Sequence, residues 1–195
     1  MKLELLRARG WRNLAPLELV PGPRATVLSG GNGQGKTNVI EAIHYLTTFR
    51  SFRTTSAEDL VRWDAEGAKV EATVTTGGLR RRLEAVVTRT GRRFQLDGKG
   101  TRRDAEGLRG VAVVLFVPEH LLLPKASPAE RRRFLDLAVF GRERLYYREA
   151  MAYQRVLKHR NAALKAQAAG ALLEAYDEQL ARAGARIVVR RRALV

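Results

Sequence analysis

The sequence predicts an α/β fold in which a phosphate-loop lobe, combining a mixed sheet with an antiparallel meander, is followed by a helical lobe. Three stretches carry that prediction. Residues 25–46, ATVLSGGNGQGKTNVIEAIHYL, pass from a short apolar run through a glycine-rich turn into a helical pattern with Val39, Ile43 and Leu46 on one face. Residues 69–104 change to a period of two, interrupted by Gly77-Gly78, Thr90-Gly91 and Asp97-Gly98, as an antiparallel meander requires. From Arg142 onward, apolar residues recur at helical spacings. The two lobes are expected over residues 1–124 and 125–195.

In chain order, Leu3 and Leu5 alternate with polar neighbours from Lys2 to Arg9, the pattern of a half-buried strand. A second short strand around residues 17–20 ends at Pro21-Gly22-Pro23, a strong stop. The apolar run at residues 25–28 reads as the strand that delivers the glycine-rich turn. After the helix, Ser56 reads as an N-cap opening a short helix through Trp63. The run VAVVLFV, residues 111–117, is continuous, β-branched and of strand length, hence a strand buried on both faces. Leu121 to Pro124 reads as a linker, and Ser127-Pro128 with Glu130 opens a long helix. Gly170 interrupts the helical pattern before Leu172-Leu173 restarts it.

The turn is G-x-x-x-x-G-K-[ST], set between a strand and a helix, the context that makes it a phosphate-binding loop. Gly30, Gly31, Asn32, Gly33, Gln34 and Gly35 let the backbone curl so that successive N–H groups face an anion. The following helix aims its positive end at the same point, Lys36 reaches the terminal phosphates, and Thr37 ligates magnesium, Mg2+. Asn38 completes the loop. The ligand implied is a nucleotide polyphosphate.

Charge points to a second partner. Of 195 residues, 36 are Lys or Arg and 20 are Asp or Glu, a formal net charge of +16 that favours a polyanion, nucleic acid above all. Arg50 and Arg53 flank Phe52 close to the loop, within reach of either the nucleotide or a nucleic-acid backbone. The meander adds Arg80, Arg81, Arg82, Arg89, Arg92, Arg93, Lys99, Arg102 and Arg103 against Glu84, Asp97 and Asp104, an imbalance read as a phosphate-tracking face. With no cysteine, thiolate metal sites are excluded. No apolar segment approaches the ~20 residues of a membrane span, and MKLELLRARG is not a signal sequence, so a cytoplasmic location without membrane contact is expected.

A P-loop ATPase also needs a carboxylate for its magnesium, ordinarily an Asp after an apolar strand. Residues 111–117 run into Pro118 instead; Asp136 and Asp177 lie in helical patterns, and Glu119 reads as a surface residue more readily than as a metal or water ligand. His44, His120 and His159 have no metal-ligand spacing.

These residues together resemble the RecF family, which is related to the heads of SMC and ABC ATPases. The resemblance runs through Trp11-Arg12-Asn13-Leu14, the loop from Gly30 to Asn38 with Glu41-Ala42, Arg50-Ser51-Phe52-Arg53-Thr54, and Leu115-Phe116-Val117-Pro118-Glu119. It continues through Arg131-Arg132-Arg133-Phe134-Leu135-Asp136 and Tyr153-Gln154-Arg155-Val156-Leu157-Lys158-His159-Arg160-Asn161. It implies an ABC/SMC-like head that binds ATP at Gly30 to Thr37, with Arg12 and Asn13 near the nucleotide. It further implies an ATP-dependent homodimer and DNA binding near single-strand/double-strand junctions or gaps. RecR, RecO and RecA are the implied partners, in gap repair, replication, recombination and the SOS response.

RecF-like chains continue for well over a hundred residues more, and their continuation supplies the signature loop and the magnesium carboxylate. The helical lobe is therefore expected to be truncated here, and this chain to be at most a weak DNA-dependent ATPase. Leu28-Ser29-Gly30-Gly31-Asn32 reads like an ABC signature loop but overlaps the phosphate loop and cannot serve both roles. The alternative left by the motif alone is a P-loop small-molecule kinase. The arginine-rich meander and the lack of an acidic lid or substrate-orienting motif count against it.

Overall fold

A computed structural model describes residues 1–101, 111–143 and 146–194, leaving out the side chain of Glu119. Arg102, Arg103 and Asp104 of the expected nucleic-acid face lie outside the described residues. The chain divides into two compact units, Met1–Val113 and Val114–Val195.

The first unit is built on a six-stranded sheet of β1 (Lys2–Arg9), β2 (Leu17–Leu19), β3 (Gly67–Thr76), β4 (Leu79–Thr88), β5 (Arg92–Leu96) and β6 (Lys99–Gly100), in the order β2-β1-β3-β4-β5-β6. Each of these ladders is antiparallel. The two-residue turns Gly77-Gly78 and Asp97-Gly98 have all four residues at positive φ, which matches the twist of the strands they join. Val70, Ala72 and Val74 of β3 and Leu83, Ala85 and Val87 of β4 face one way and are buried. Burying a Val or Leu side chain contributes about 1.5–3 kcal/mol, so this one face is a major source of the unit's stability.

Helix α1 (Lys36–Thr48) covers that face, with Val39, Ala42, Tyr45 and Leu46 buried against it. Its end is set by Phe49, whose φ of 58° costs strain in a bulky residue and whose N–H donates to Tyr45 O at 2.8 Å. The Phe49 ring stacks on Phe94 of β5, 3.9 Å between centroids and 11° between planes, which offsets that strain. This left-handed step turns the chain sharply into Arg50-Ser51-Phe52-Arg53.

Several expectations change. A register shift between Leu3 and Leu5 moves the buried phase of β1 to Leu6 and Ala8. The helix expected after Ser56 is one 3₁₀ turn, Glu58–Leu60, which buries Leu60 and leaves Trp63 in solvent. Residues 25–28 and 111–117 pair with no strand among the described residues, so no parallel ladder forms there. A strand buried on both faces needs neighbours on both edges. Lacking them, residues 111–117 alternate, with Val111 buried while Val114 and Phe116 are 96% and 72% exposed; Val27 is 86% exposed.

In the second unit a 3₁₀ segment, Pro118–Lys125, replaces the expected linker and precedes α2 (Pro128–Arg142), α3 (Tyr146–Lys165) and α4 (Gly170–Arg192). Helix α2 opens as its sequence predicts, with a capping box in which Ser127 Oγ accepts from Glu130 N at 3.3 Å and Glu130 accepts from Ser127 N at 2.9 Å. Val139, Phe140, Tyr146 and Ile187 form the core. Gly184 lets α3 and α4 approach, since a Cβ there would stand 3.4 Å from the Tyr153 ring. Among the described residues no helix is long and apolar enough to cross a membrane.

Candidate nucleotide site

The loop from Gly30 to Gly35 is placed by what holds its two ends. At the helix end, Gly35 has φ 92° and sits so close to the Trp11-Arg12-Asn13-Leu14 turn that a Cβ would meet Leu14 Cδ2 at 2.5 Å. Asn13 Nδ2 donates to Gly33 O at 2.6 Å, pinning the crown of the loop to the end of β1. Lys36 folds its ammonium back over the loop and donates to Gly30 O at 2.7 Å and Gly31 O at 2.6 Å.

Donors for an anion remain free. None of the main-chain N–H groups from Gly30 to Asn38 donates to an acceptor among the described residues, the first paired amide being Val39 N to Gly35 O at 3.0 Å. Helix α1 has no side-chain cap and no acid in its first turn, so its positive end is unanswered by the protein. Beta carbons built on Gly30 and Gly33 would meet nothing within 4 Å, so no side chain crowds the loop at those two positions. Lys36 and Thr37 also stand at the edge of an open cleft of about 440 Å³ whose other walls are mostly apolar, Leu3, Leu19, Leu28, Val39, Ile40 and Ile43 among them, and which none of residues 30–35 lines. The loop, rather than that cleft, fits a polyphosphate with its cation: the amides from Gly30 to Asn38 and the Lys36 ammonium for the phosphates, and the Thr37 hydroxyl for the metal.

Behind the loop lies a buried carboxylate whose partners the sequence did not disclose. Glu41 of α1 is 0% exposed. Arg12 grips it with two bonds, Nε to Oε2 at 2.9 Å and Nη2 to Oε1 at 2.7 Å, and Ser51 Oγ donates to Oε1 at 2.5 Å. Arg53 Nη1 stands 3.5 Å from Oε2 and also donates to Asn38 Oδ1 at 2.6 Å, while Asn38 Nδ2 donates to Asn13 Oδ1 at 2.6 Å. The Trp11 indole closes the set by donating to Asn38 O at 3.1 Å. One network thus ties the end of β1, the phosphate loop, α1 and the Arg50 to Thr54 segment together.

This geometry sorts the sequence expectations. Asn13 touches the loop directly. Arg12 faces Glu41, the Asn38 carboxamide is engaged on both sides, and Arg53 belongs to the same network. Arg50 stays exposed just beyond Phe49, its carbonyl accepting from Thr48 Oγ1 at 3.0 Å. The signal for Glu41 was an acid one turn into an otherwise buried helix, which demands a cation.

The meander does not present its arginines on one face. Arg81 and Arg92 lie opposite the buried Val74 and Val87 and so share the core face, whereas Arg80, Arg82 and Arg93 lie on the other. Nor is that other face unopposed, because β1 and β3 add acids that β4 alone does not reveal. Arg80 pairs with Glu4 at 2.8 Å, Arg82 with Glu71, Lys69 with Glu84 at 3.2 Å, and Arg7 with Glu18 at 2.9 Å. Arg81 pairs with Asp97 at 2.6 Å. Burial alone would raise the Asp97 carboxyl, but the Arg82 amide and the Arg81 guanidinium together hold it below its ordinary value. In the second unit Asp136 accepts from Tyr146 and, at 2.8 Å, from Arg191, and Asp177 pairs with Arg160.

Comparison with known proteins adds a family and a fold. A model of the family described as AAA domain matches residues 4–180. A DNA replication and repair protein RecF of Anaeromyxobacter dehalogenans is 49% identical over 199 aligned residues, covering 100% of this chain and 53% of that protein. A solved structure of the recombination mediator protein RecF-ATP in the RecFOR pathway superposes with a TM-score of 0.88 at 30% identity, over 98% of this chain and 53% of that one. The SMC head domain of Pyrococcus furiosus, bound to the C-terminal domain of ScpA, shares the fold at a TM-score of 0.52 and 18% identity, over 98% of this chain and 56% of that one. The chain spans about half the length of the RecF relatives it matches.

Proposed function

Because the chain belongs to the AAA domain family and is similar to RecF proteins along its full length, we propose that it is the nucleotide-binding part of a RecF-type recombination mediator. It binds ATP and DNA and acts in gap repair, recombination and the SOS response by helping to load RecA. The observation that supports this reading best is the open curve from Gly30 to Asn38, whose amides have no described acceptor and whose lysine lies over it.

The amides and Lys36 hold the phosphates, Thr37 holds Mg2+, and Asn13 keeps the loop in shape from behind. The cation, when bound, neutralises charge on the phosphate oxygens. Arg12 and Glu41 act one layer back, fixing the turn that carries Asn13. Junctions or gaps in DNA, RecR and RecO, an ATP-dependent homodimer and a cytoplasmic location complete the proposal, all carried from the family resemblance.

The test is titration of a fluorescent ATP analogue against the chain and its Lys36→Ala variant. The variant is expected to bind at least about tenfold more weakly while melting at the same temperature, since the ammonium is exposed and holds only loop carbonyls. Equal affinity in the two proteins sinks the assignment. DNA affinity is expected to fall steeply between roughly 50 and 200 mM salt.

A further inference from the structure

Trp63 is 96% exposed, in contrast to Trp11, the other tryptophan, at 0%. The main chain that presents it is firmly held. Arg62 N donates to Gly10 O at 2.8 Å, Ala65 N donates to Arg62 O at 3.0 Å, and Arg62 Nε bonds Asp64 at 2.6 Å. Arg89 Nη2 reaches the Trp63 carbonyl at 3.4 Å, and the preceding Leu60 and Val61 are buried. An indole left wholly in water on an anchored turn is a surface that awaits an apolar, flat partner.

The surrounding charge says which kind. Strand register brings one end of the sheet together here: Arg9 of β1 lies opposite Lys69 of β3, Gly67 opposite Thr88 of β4, and Val87 opposite Arg92 of β5. Arg9, Arg89 and Arg93 belong to this end and have no carboxylate partner among the described residues, while Arg92 turns to the core face and donates to Thr55 O at 3.1 Å. Of the acids in the connecting segment, Asp64 is paired with Arg62, while Glu58, Asp59, which accepts from the Thr54 hydroxyl, and Glu66 keep their charge. At the opposite end of the same strands Arg80, Arg81 and Arg82 are each matched by an acid. Strands stand about 4.8 Å apart, so Arg9 of β1 and Arg93 of β5, three strand spacings apart, lie roughly 14 Å from each other across this end.

We propose that Trp63 is a stacking platform for an unpaired base of single-stranded DNA, with Arg9, Arg89 and Arg93 meeting the adjoining phosphates. This rests on the reading that the chain binds DNA and names where it grips the single strand. Every base has a π-face, so stacking on Trp63 is indifferent to sequence, while the arginines supply the salt-sensitive part. A duplex hides its base faces, so Trp63 favours the unpaired strand.

The experiment uses the full chain with a dye-labelled oligothymidine of about 10 nucleotides, read by anisotropy, and the same unlabelled oligomer, read by tryptophan emission. A hairpin duplex of equal charge is the control. Expected are quenching of the exposed component of the emission on saturation, a loss of roughly tenfold in single-strand affinity for Trp63→Ala, and near-retention for Trp63→Phe. Duplex affinity stays unchanged in both variants. Trp63 is solvent-exposed, so unchanged melting temperatures verify the fold. Binding seen by anisotropy without quenching, or an equal loss for duplex and single strand, overturns the stacking site and leaves the DNA-binding reading standing. No binding of either oligomer overturns both.

Discussion

Replacing Glu41 by alanine tests the network behind the phosphate loop. Its carboxylate has no exposure to water and is answered by two bonds from Arg12, one from Ser51 and a longer ion pair with Arg53. Removing one member of a buried pair costs about 3–5 kcal/mol, because the partner charge is left without compensation. The Arg12 side chain is 16% exposed and Arg53 45%, so both recover some hydration and the lower part of that range applies. The lost Ser51 bond adds about 1 kcal/mol, for an expected total of roughly 3–4 kcal/mol. In a unit of this size each kcal/mol is worth about 4–8 °C, so the melting temperature falls by roughly 12–30 °C. The assay is urea unfolding followed through Trp11 in a Trp63→Phe background, since Trp11 is buried and its indole bonds Asn38 O inside the network. Arg12→Met combined with Glu41→Leu recovers much of the loss, giving a coupling of at least about 2 kcal/mol. A loss below about 1 kcal/mol for Glu41→Ala, or strict additivity in the cycle, refutes the claim that this carboxylate organises the loop.

Further outcomes follow from other features. Gly35→Ala places a methyl 2.5 Å from Leu14 Cδ2 at φ 92°, so it lowers stability by about 1–3 kcal/mol and weakens ATP-analogue binding; unchanged affinity would separate loop geometry from binding. Burial, then the bond to Asp136, pushes the Tyr146 hydroxyl from 10.0 up to about 12. The folded state holds that proton more tightly, so the contribution is complete below pH 10, declines as pH rises through 12, and is absent from Tyr146→Phe in alkaline melts. Bonding by Arg7 holds Glu18 below 4.5, and Arg81 with Arg82 holds Asp97 below 3.8. Stability from these groups is present above those values and lost as pH falls below them, so acid titration of melting temperature shows a decline that Asp97→Asn reduces.

What the sequence disclosed was local. The glycine-rich turn ahead of α1, the Gly77-Gly78 and Asp97-Gly98 turns and the Ser127 capping box each depend on residues a few positions apart, and each is found where the pattern placed it. What it concealed depends on register and on pairing across the chain. Arg12 and Glu41 are 29 residues apart, and nothing in either segment names the other. The arginines of β4 looked unopposed because Glu4 and Glu71 come from strands β1 and β3. The sides taken by Arg81 and Arg92 follow from the registers of β3, β4 and β5, which composition does not specify. Residues 111–117 have a strand's composition, but composition does not supply the neighbours that a ladder needs.

Val27 in the first unit and Val114 and Phe116 in the second leave apolar side chains bare to solvent, and self-association through them is an expected outcome. Sedimentation will give a weight that climbs with loading and drops back when a mild non-ionic detergent is added, while dilute samples run as one species. Any oligomer seen at high protein must therefore be re-measured dilute, with and without nucleotide, before it is credited to ATP.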